Sequence, residues 1–441
     1  MRGLRTAGGL LGLMLLGCLV AGLLPAAEPL PEPLTLAAAL RFADAGHPDL
    51  QLAAAGIEAA RAEGLRARAL TGVRASLEAE ARYVGVSPLA ADTSPNDSRA
   101  RLQLNKRLYD FGRSRASLAA AAAAQRAQQA RYLDTRLQRR LDILGRYLDV
   151  LLADLDFRVQ DEAMSIAYVR LDRARDRFEL GQISEIELLR RENDYQVLRS
   201  RRYAAEAARR TRRVRLAEAL GRPGELSRTL VEPGWRVDAL ELPELEALTR
   251  EVLAANPGLR ALQAELEQAR QRVQAARAGR RPVLSGELAT SRYARDYGFR
   301  DRWEAGLVLE VPLFTGGRVA AELAAAQARR QEAEAELALA QRDLRQRVAE
   351  LWEEIRVLRA QRQETQTRLD YRDLYLDRSR ALYELEVETD LGDAMTLSTE
   401  ARLREAQRGY RLLLAWAELD ALRGKNRWLP LAATEEEGVK P

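Results

Sequence analysis

The stretch "LEVPLFTGGR", residues 309–318, decides how this chain is read. A strand-like alternation runs into Pro312, two glycines follow, and the chain then enters "VAAELAAAQARRQEAEAEL", a helix by composition and period. Near residue 102 stands a partner of the same plan, "LQLNKRLYDFGRSRASLAAAAAAQ" (102–125). Proline lacks a backbone donor and ends a sheet ladder. Glycine supplies the sharp turn that a strand-to-helix handover needs. Gly112 in the first copy and Pro312, Gly316 and Gly317 in the second are therefore the expected switch residues.

Other pairs repeat at the same distance. "HPDLQLAAAGIEAARA" (47–62) matches "NPGLRALQAELEQARQ" (256–271), and "RARDRFELGQ" (173–182) matches "RSRALYELEV" (378–387). Such self-similarity marks a tandem duplication. The expected halves are 28–220 and 244–424. A Pro- and Gly-rich join lies at 221–243, and a tail follows at 425–441. Each half predicts a helix (near 35–70 and 244–279), two strands, a very long helix (about 114–180 and 318–384) and a further helix (near 184–220 and 390–423). The long helices carry heptad-like rows: Leu133, Leu137, Leu141, Leu144, Leu148, Leu151 and Leu155, then Leu337, Leu344, Val348, Leu351, Ile355 and Leu358. At 1.5 Å per residue each would span roughly 100 Å. The fold class predicted is mainly α with a small β part, a tall antiparallel bundle.

Four segments alternate cleanly. Ala75, Leu77, Ala79, Ala81 and Tyr83 oppose Ser76, Glu78, Glu80 and Arg82. Ala100, Leu102, Leu104 and Leu108 oppose Arg99, Arg101, Gln103, Asn105 and Arg107. Leu284 and Leu288 oppose Ser285 and Glu287; Trp303, Ala305, Leu307, Leu309 and Val311 oppose Arg302, Glu304 and Glu310. Segments of about ten residues with one strongly polar face are the pattern of transmembrane strands around a wet lumen. Four strands cannot close, and an open edge in a bilayer leaves backbone groups unpaired. Closure needs further copies: two give eight strands and a filled barrel, three give twelve and a channel.

The first 27 residues read as a secretory signal, with Arg2 and Arg5 before an apolar run and small residues at Ala26–Ala27. Cleavage near Ala27 is one outcome. "LLGC" at Cys18 allows the other, lipidation. Cys18 is the only cysteine, so no internal disulfide is expected.

Little points to chemistry. His47 is the single histidine and precedes Pro48 at a helix start, so no metal site, cofactor or enzyme activity is expected. "FTGGR" lacks the lysine and spacing of a phosphate loop. The net charge of +5 comes from bases interleaved with acids along helices, which argues against nucleic acid.

Taken together, "VPLFTGGR", "RLYDFGR", "HPDL"/"NPGL" and the duplication resemble the TolC-like outer-membrane efflux proteins over about 34–424. The resemblance implies a homotrimer with a 12-stranded barrel in outer-membrane lipid and an α-helical tunnel across the periplasm. It also implies docking on a periplasmic adaptor and an inner-membrane pump, with 221–243 and 424–441 around the waist. The alternative is a periplasmic coiled-coil adaptor or structural protein. "FELGQISEIELL" (178–189) is similar to the family's helix-hairpin tip, which makes Gly181, Ile183, Ser184 and Glu185 the expected docking residues; a plain helix joint is the other reading. In the second half Glu386 stands where the glycine is expected. Asp390 and Asp393, three apart, share one helical face. Repeated by threefold symmetry they would form a cation-attracting gate, or else they are acids favoured at a helix start.

Overall fold

The structure is a computed structural model and describes residues 30–42, 47–87, 92–225, 227–234, 237–295, 301–385 and 390–425. Residues 1–27 with Cys18, position 386 and the tail beyond Lys425 lie outside the described residues. The elements in chain order are α1 (Leu36–Phe42), α2 (Pro48–Ala69), β1 (Val73–Glu80), β2 (Arg99–Tyr109), α3 (Arg113–Glu179), α4 (Glu185–Ala219), α5 (Leu245–Ala255), α6 (Pro257–Arg277), β3 (Val283–Tyr293), β4 (Trp303–Glu310), α7 (Arg318–Glu384) and α8 (Leu391–Leu422).

The long helices α3 and α7 have 67 residues each. The expected first helix of each half is divided. Proline clashes with the helical turn before it, so Pro48 opens α2 after α1, and Pro257 opens α6 after α5. The capping side chains differ. His47 Nδ1 accepts from the Asp49 amide at 3.3 Å. Asn256 Oδ1 accepts from the Leu259 amide at 2.9 Å, while its Nδ2 donates to Leu422 O at 3.1 Å and ties down the end of α8.

The strands form one antiparallel sheet in the order β1-β2-β3-β4, which leaves β1 and β4 as its edges. The register sets Leu77 opposite Leu102, Leu104 opposite Leu288, and Leu288 opposite Ala305. Between Arg107 and Tyr109 the β2–β3 register shifts, so Tyr109 pairs with Leu284 on the apolar face.

Away from the sheet, α3 packs on α2 and α6 and then on α4 and α8, while α7 packs on α6 and α8. The main hydrophobic core lies part-way along the bundle. There Ile143, Leu144, Tyr147 and Leu148 of α3 meet Val348, Leu351 and Ile355 of α7 and Leu412, Trp416 and Leu419 of α8. Of the expected α3 row, Leu137, Leu144, Leu148 and Leu151 are buried, but Leu133 is exposed. The join at 221–243 is built into this core: Leu230 and Val237 are buried beside Leu34 and Leu40. Leu34 N donates to Thr229 O and Val231 N to Leu34 O, both at 3.0 Å. The buried Tyr147 hydroxyl stands 2.9 Å from Leu34 O and 2.6 Å from Val231 O, so its single proton pins N-terminal segment and join to one helix. The Arg408 guanidinium, also buried, reaches Glu405, Asp238 and the Leu358 carbonyl.

Candidate functional site

The sheet separates charge from grease. On one face Arg99 Nε meets Glu80 at 2.8 Å, its Nη2 meets Glu78 at 3.2 Å, and Arg101 meets Glu304 at 3.3 Å. Asn105 Nδ2 donates to Glu287 at 2.8 Å on the same face. Gln103, in register with Ser76 and Ala289, belongs there too. The opposite face carries Leu77, Leu102, Leu288, Trp303, Leu307 and Leu309, all exposed. Leu104 stands among them at half-burial. An apolar patch of this kind on a monomer marks a surface that meets lipid or another protein.

Both handovers to the long helices use left-handed backbone. Gly112 has φ 94°, Gly316 φ 59° and Gly317 φ 82°, and Phe111 reaches φ 51°. A β-carbon on Gly112 or Gly317 would meet nothing within 4 Å, so the requirement is the dihedral angle and not space. Pro312 follows the last residue of β4 by two positions. In the first copy Asp110 caps α3. Its buried carboxylate accepts from the Ser114 amide at 2.9 Å and from the Ser114 hydroxyl.

At the far end, α3 closes at Gly181, φ 68°, with Gln182 N donating to Arg177 O at 2.8 Å and Gly181 N to Phe178 O at 2.9 Å. This is a Schellman-type stop. Ser184 Oγ then accepts from the Glu187 amide at 3.3 Å and opens α4. Glu187 itself pairs with Arg191 at 2.9 Å. Glu185 is exposed and Ile183 half-buried, and beside them Leu180 and Ile186 are among the most exposed large side chains, at 72% and 81%. No local signal in the sequence marks Leu180 or Ile186, because apolar residues at a helix end and in a first turn are ordinary.

Asp390 caps α8, accepting from the Asp393 amide at 3.4 Å. Both aspartates converge on one cation, Arg170 of α3, whose Nη2 lies 2.5 Å from Asp390 Oδ1 and 2.7 Å from Asp393 Oδ1. Burial opposes the Asp390 carboxylate, yet its hydrogen bonds and Arg170 outweigh burial and hold its pKa below the ordinary value. Asp393 is shifted the other way, upward, by burial and by its neighbour Asp390. Further along, Thr399 of α8 donates to Glu162 of α3 at 2.7 Å. Arg170 is one arginine among many on α3; only the packing of α8 on α3 distinguishes it.

A family model describing the outer membrane efflux protein matches residues 40–222 and 248–425, which covers both halves. The chain belongs to the outer membrane efflux protein family. Solved structures share the fold. The outer membrane protein VceC of Vibrio cholerae superposes with a TM-score of 0.70 at 19% identity, over 89% of this chain and 96% of that one. The Campylobacter jejuni CmeC outer membrane channel gives 0.72 at 16% identity, over 91% and 88%. The open Neisseria gonorrhoeae MtrE outer membrane channel gives 0.65 at 20% identity, over 88% and 89%. Sequence comparison with curated proteins found no match. Within this outer-membrane efflux family the four-stranded sheet is the barrel portion and the long helices are the tunnel portion of the fold.

Proposed function

We propose that three copies of this chain form a passive exit duct in the outer membrane, with the helices in the periplasm and a periplasmic adaptor and inner-membrane pump docked beneath. The observation that carries the reading is the sheet: one exposed apolar face, one ion-paired polar face and two unpaired edges. In lipid such edges must find partners. β4 of one copy against β1 of the next satisfies both, and three sheets of four strands make a ring with a wet interior.

The helices support the same ring. Large apolar side chains remain exposed on α7 (Val357, Tyr371, Leu374) and on α2 and α4 (Leu52, Leu65, Val197, Tyr203, Val214), at the two flanks of the bundle. A neighbouring copy would cover one flank with the other. The residues around Gly181 are then the adaptor-docking tip, with Leu180 and Ile186 as its apolar contacts. Asp390 and Asp393, steadied by Arg170, line the periplasmic gate. The polypeptide guides passage and performs no chemical step.

The test is assembly and conduction. Purified from the outer-membrane fraction, the protein should run as a heat-resistant trimer and open ion-conducting channels in planar bilayers. A protein released in soluble form from the periplasm, without channel activity, would favour a coiled-coil adaptor instead.

A further inference from the structure

The face that carries the leucines also carries two cations: Arg292, in register with Ala100 at the loop end of the sheet, and Lys106 at the helix end. Lys106 lies between Leu104 and Leu108 on β2, in a row across the sheet with Val73, Gly286 and Leu307. Its side chain is exposed. Among the described residues no carboxylate or hydrogen-bonding group pairs with its ammonium. Lys425, the other described lysine, pairs with Glu251. The nearest acid across the ladder, Glu287, sits on the opposite face and is engaged by Asn105 at 2.8 Å.

Lys106 is three residues short of the end of β2 at Tyr109, about 10 Å along the strand at the usual rise. Strand tilt shortens that depth further. The helices begin just beyond, so this end of the sheet faces the periplasmic leaflet. Tyr109 and Phe111, with ring centroids 4.7 Å apart, and the almost fully exposed Leu313 and Phe314 sit at the same rim. Aromatic girdles occupy this level in membrane barrels. A lysine there can lay its methylenes on the apolar surface and lift its ammonium to the headgroups.

The surface around it is hollow. An open hollow of ≈ 580 Å³ beside it is lined by Val73, Leu104, Leu288, Ala305 and Leu307, and also by Asn105 and Glu287, which alternate to the opposite face. A mainly apolar hollow ending in one unpaired cation is complementary to an amphiphile with an anionic head and an alkyl tail.

We infer that Lys106 and this hollow form a binding site for one anionic glycerophospholipid of the periplasmic leaflet. The ammonium donates charge-assisted hydrogen bonds to the lipid phosphate, and an acyl chain lies along Leu104, Leu288 and Leu307. The inference rests on the outer-membrane reading above.

The test uses the full-length assembly in detergent, with phosphatidylglycerol or diacylglycerol added and bound lipid counted by native mass spectrometry. The wild type should retain phosphatidylglycerol well above diacylglycerol. Lys106→Gln should lower phosphatidylglycerol retention about tenfold, as loss of a charged hydrogen bond would. Lys106→Arg should restore most of it. Equal retention in wild type and Lys106→Gln, or diacylglycerol held as firmly as phosphatidylglycerol, overturns the site. Each variant is first checked for heat-resistant trimers in the membrane fraction. A wild type absent from that fraction would overturn the outer-membrane reading and the lipid site with it, whereas inserted trimers with unchanged lipid retention overturn the lipid site alone.

Discussion

Gly392 of α8 and Ile166 of α3 are packed so closely that a β-carbon on the glycine would lie 2.7 Å from the isoleucine Cγ2. This contact brings the start of α8 within reach of Arg170. Gly392→Ala should push the two helices apart at a cost of about 1–3 kcal/mol, typical of overpacking. Single-channel recordings should show a more conductive, less firmly closed duct, and Ile166→Ala in the same chain should restore the wild-type behaviour. A Gly392→Ala channel with wild-type conductance would mean that this contact does not set the aperture.

If Asp390 and Asp393 line a gate as proposed, they and Arg170 should act with opposite signs. Asp390→Asn with Asp393→Asn should weaken block by multivalent cations, with conductance equal or higher. Arg170→Gln unmasks both carboxylates and should strengthen the block. If neither variant changes it, the aspartates serve only to start α8.

Barrel orientation is checked by three arginine substitutions. At Leu104 or Leu307 on the apolar face, arginine should cost roughly 2–4 kcal/mol near the bilayer midplane. At Gln103 on the polar face it should be tolerated. Heat-resistant trimer yield is the measure, and equal yields from all three would overturn the assignment of faces.

The tip prediction separates docking from folding. Gly181 has φ 68°, so Gly181→Trp strains the backbone as well as adding bulk. Leu180→Glu leaves the turn intact. Both should abolish export in cells while trimers still assemble, and normal export by Leu180→Glu would place adaptor contact elsewhere.

Glu251 gives a pH test of how α8 is anchored. Its carboxylate accepts from Arg423 at 2.6 Å and from Lys425, and these hydrogen bonds lower its pKa from 4.5 to about 2. A depressed acid stabilises the fold above its unfolded pKa and loses that contribution as pH falls through the folded value. Glu251 is about a third exposed, so screening leaves about 1 kcal/mol or less. Glu251→Gln should melt below wild type at pH 7, and the difference should shrink as pH falls from 4.5 and be gone below about 2. A gap that persists at the acid end would point to lost packing.

The strands and long helices were legible because their signals are local. A helix over 318–384 was expected and Arg318–Glu384 observed, since strand alternation ends at Pro312 and the glycine pair begins the turn. The strand near 74–84 was expected longer than Val73–Glu80. Tyr83 keeps only an isolated bridge to Asn96, because its partner strand begins at Arg99. What escaped the sequence depends on contacts between distant residues. The Pro- and Gly-rich composition of 221–243 marks a join, but not the partner that holds it: Tyr147, 84 residues from Val231, fixes it in the core. Arg170 lies 220 residues from Asp390, and no local pattern links them.

The two open sheet edges also bear on inheritance. Each copy of the chain would contribute to two seams of the ring, one through β1 and one through β4. A protomer that is well folded but faulty at one edge would therefore be recruited by healthy neighbours and spoil the whole closed assembly. Lesions at β1 or β4 should behave as dominant alleles when co-expressed with the normal gene, whereas lesions that prevent folding, and so keep the chain out of the ring, should be recessive.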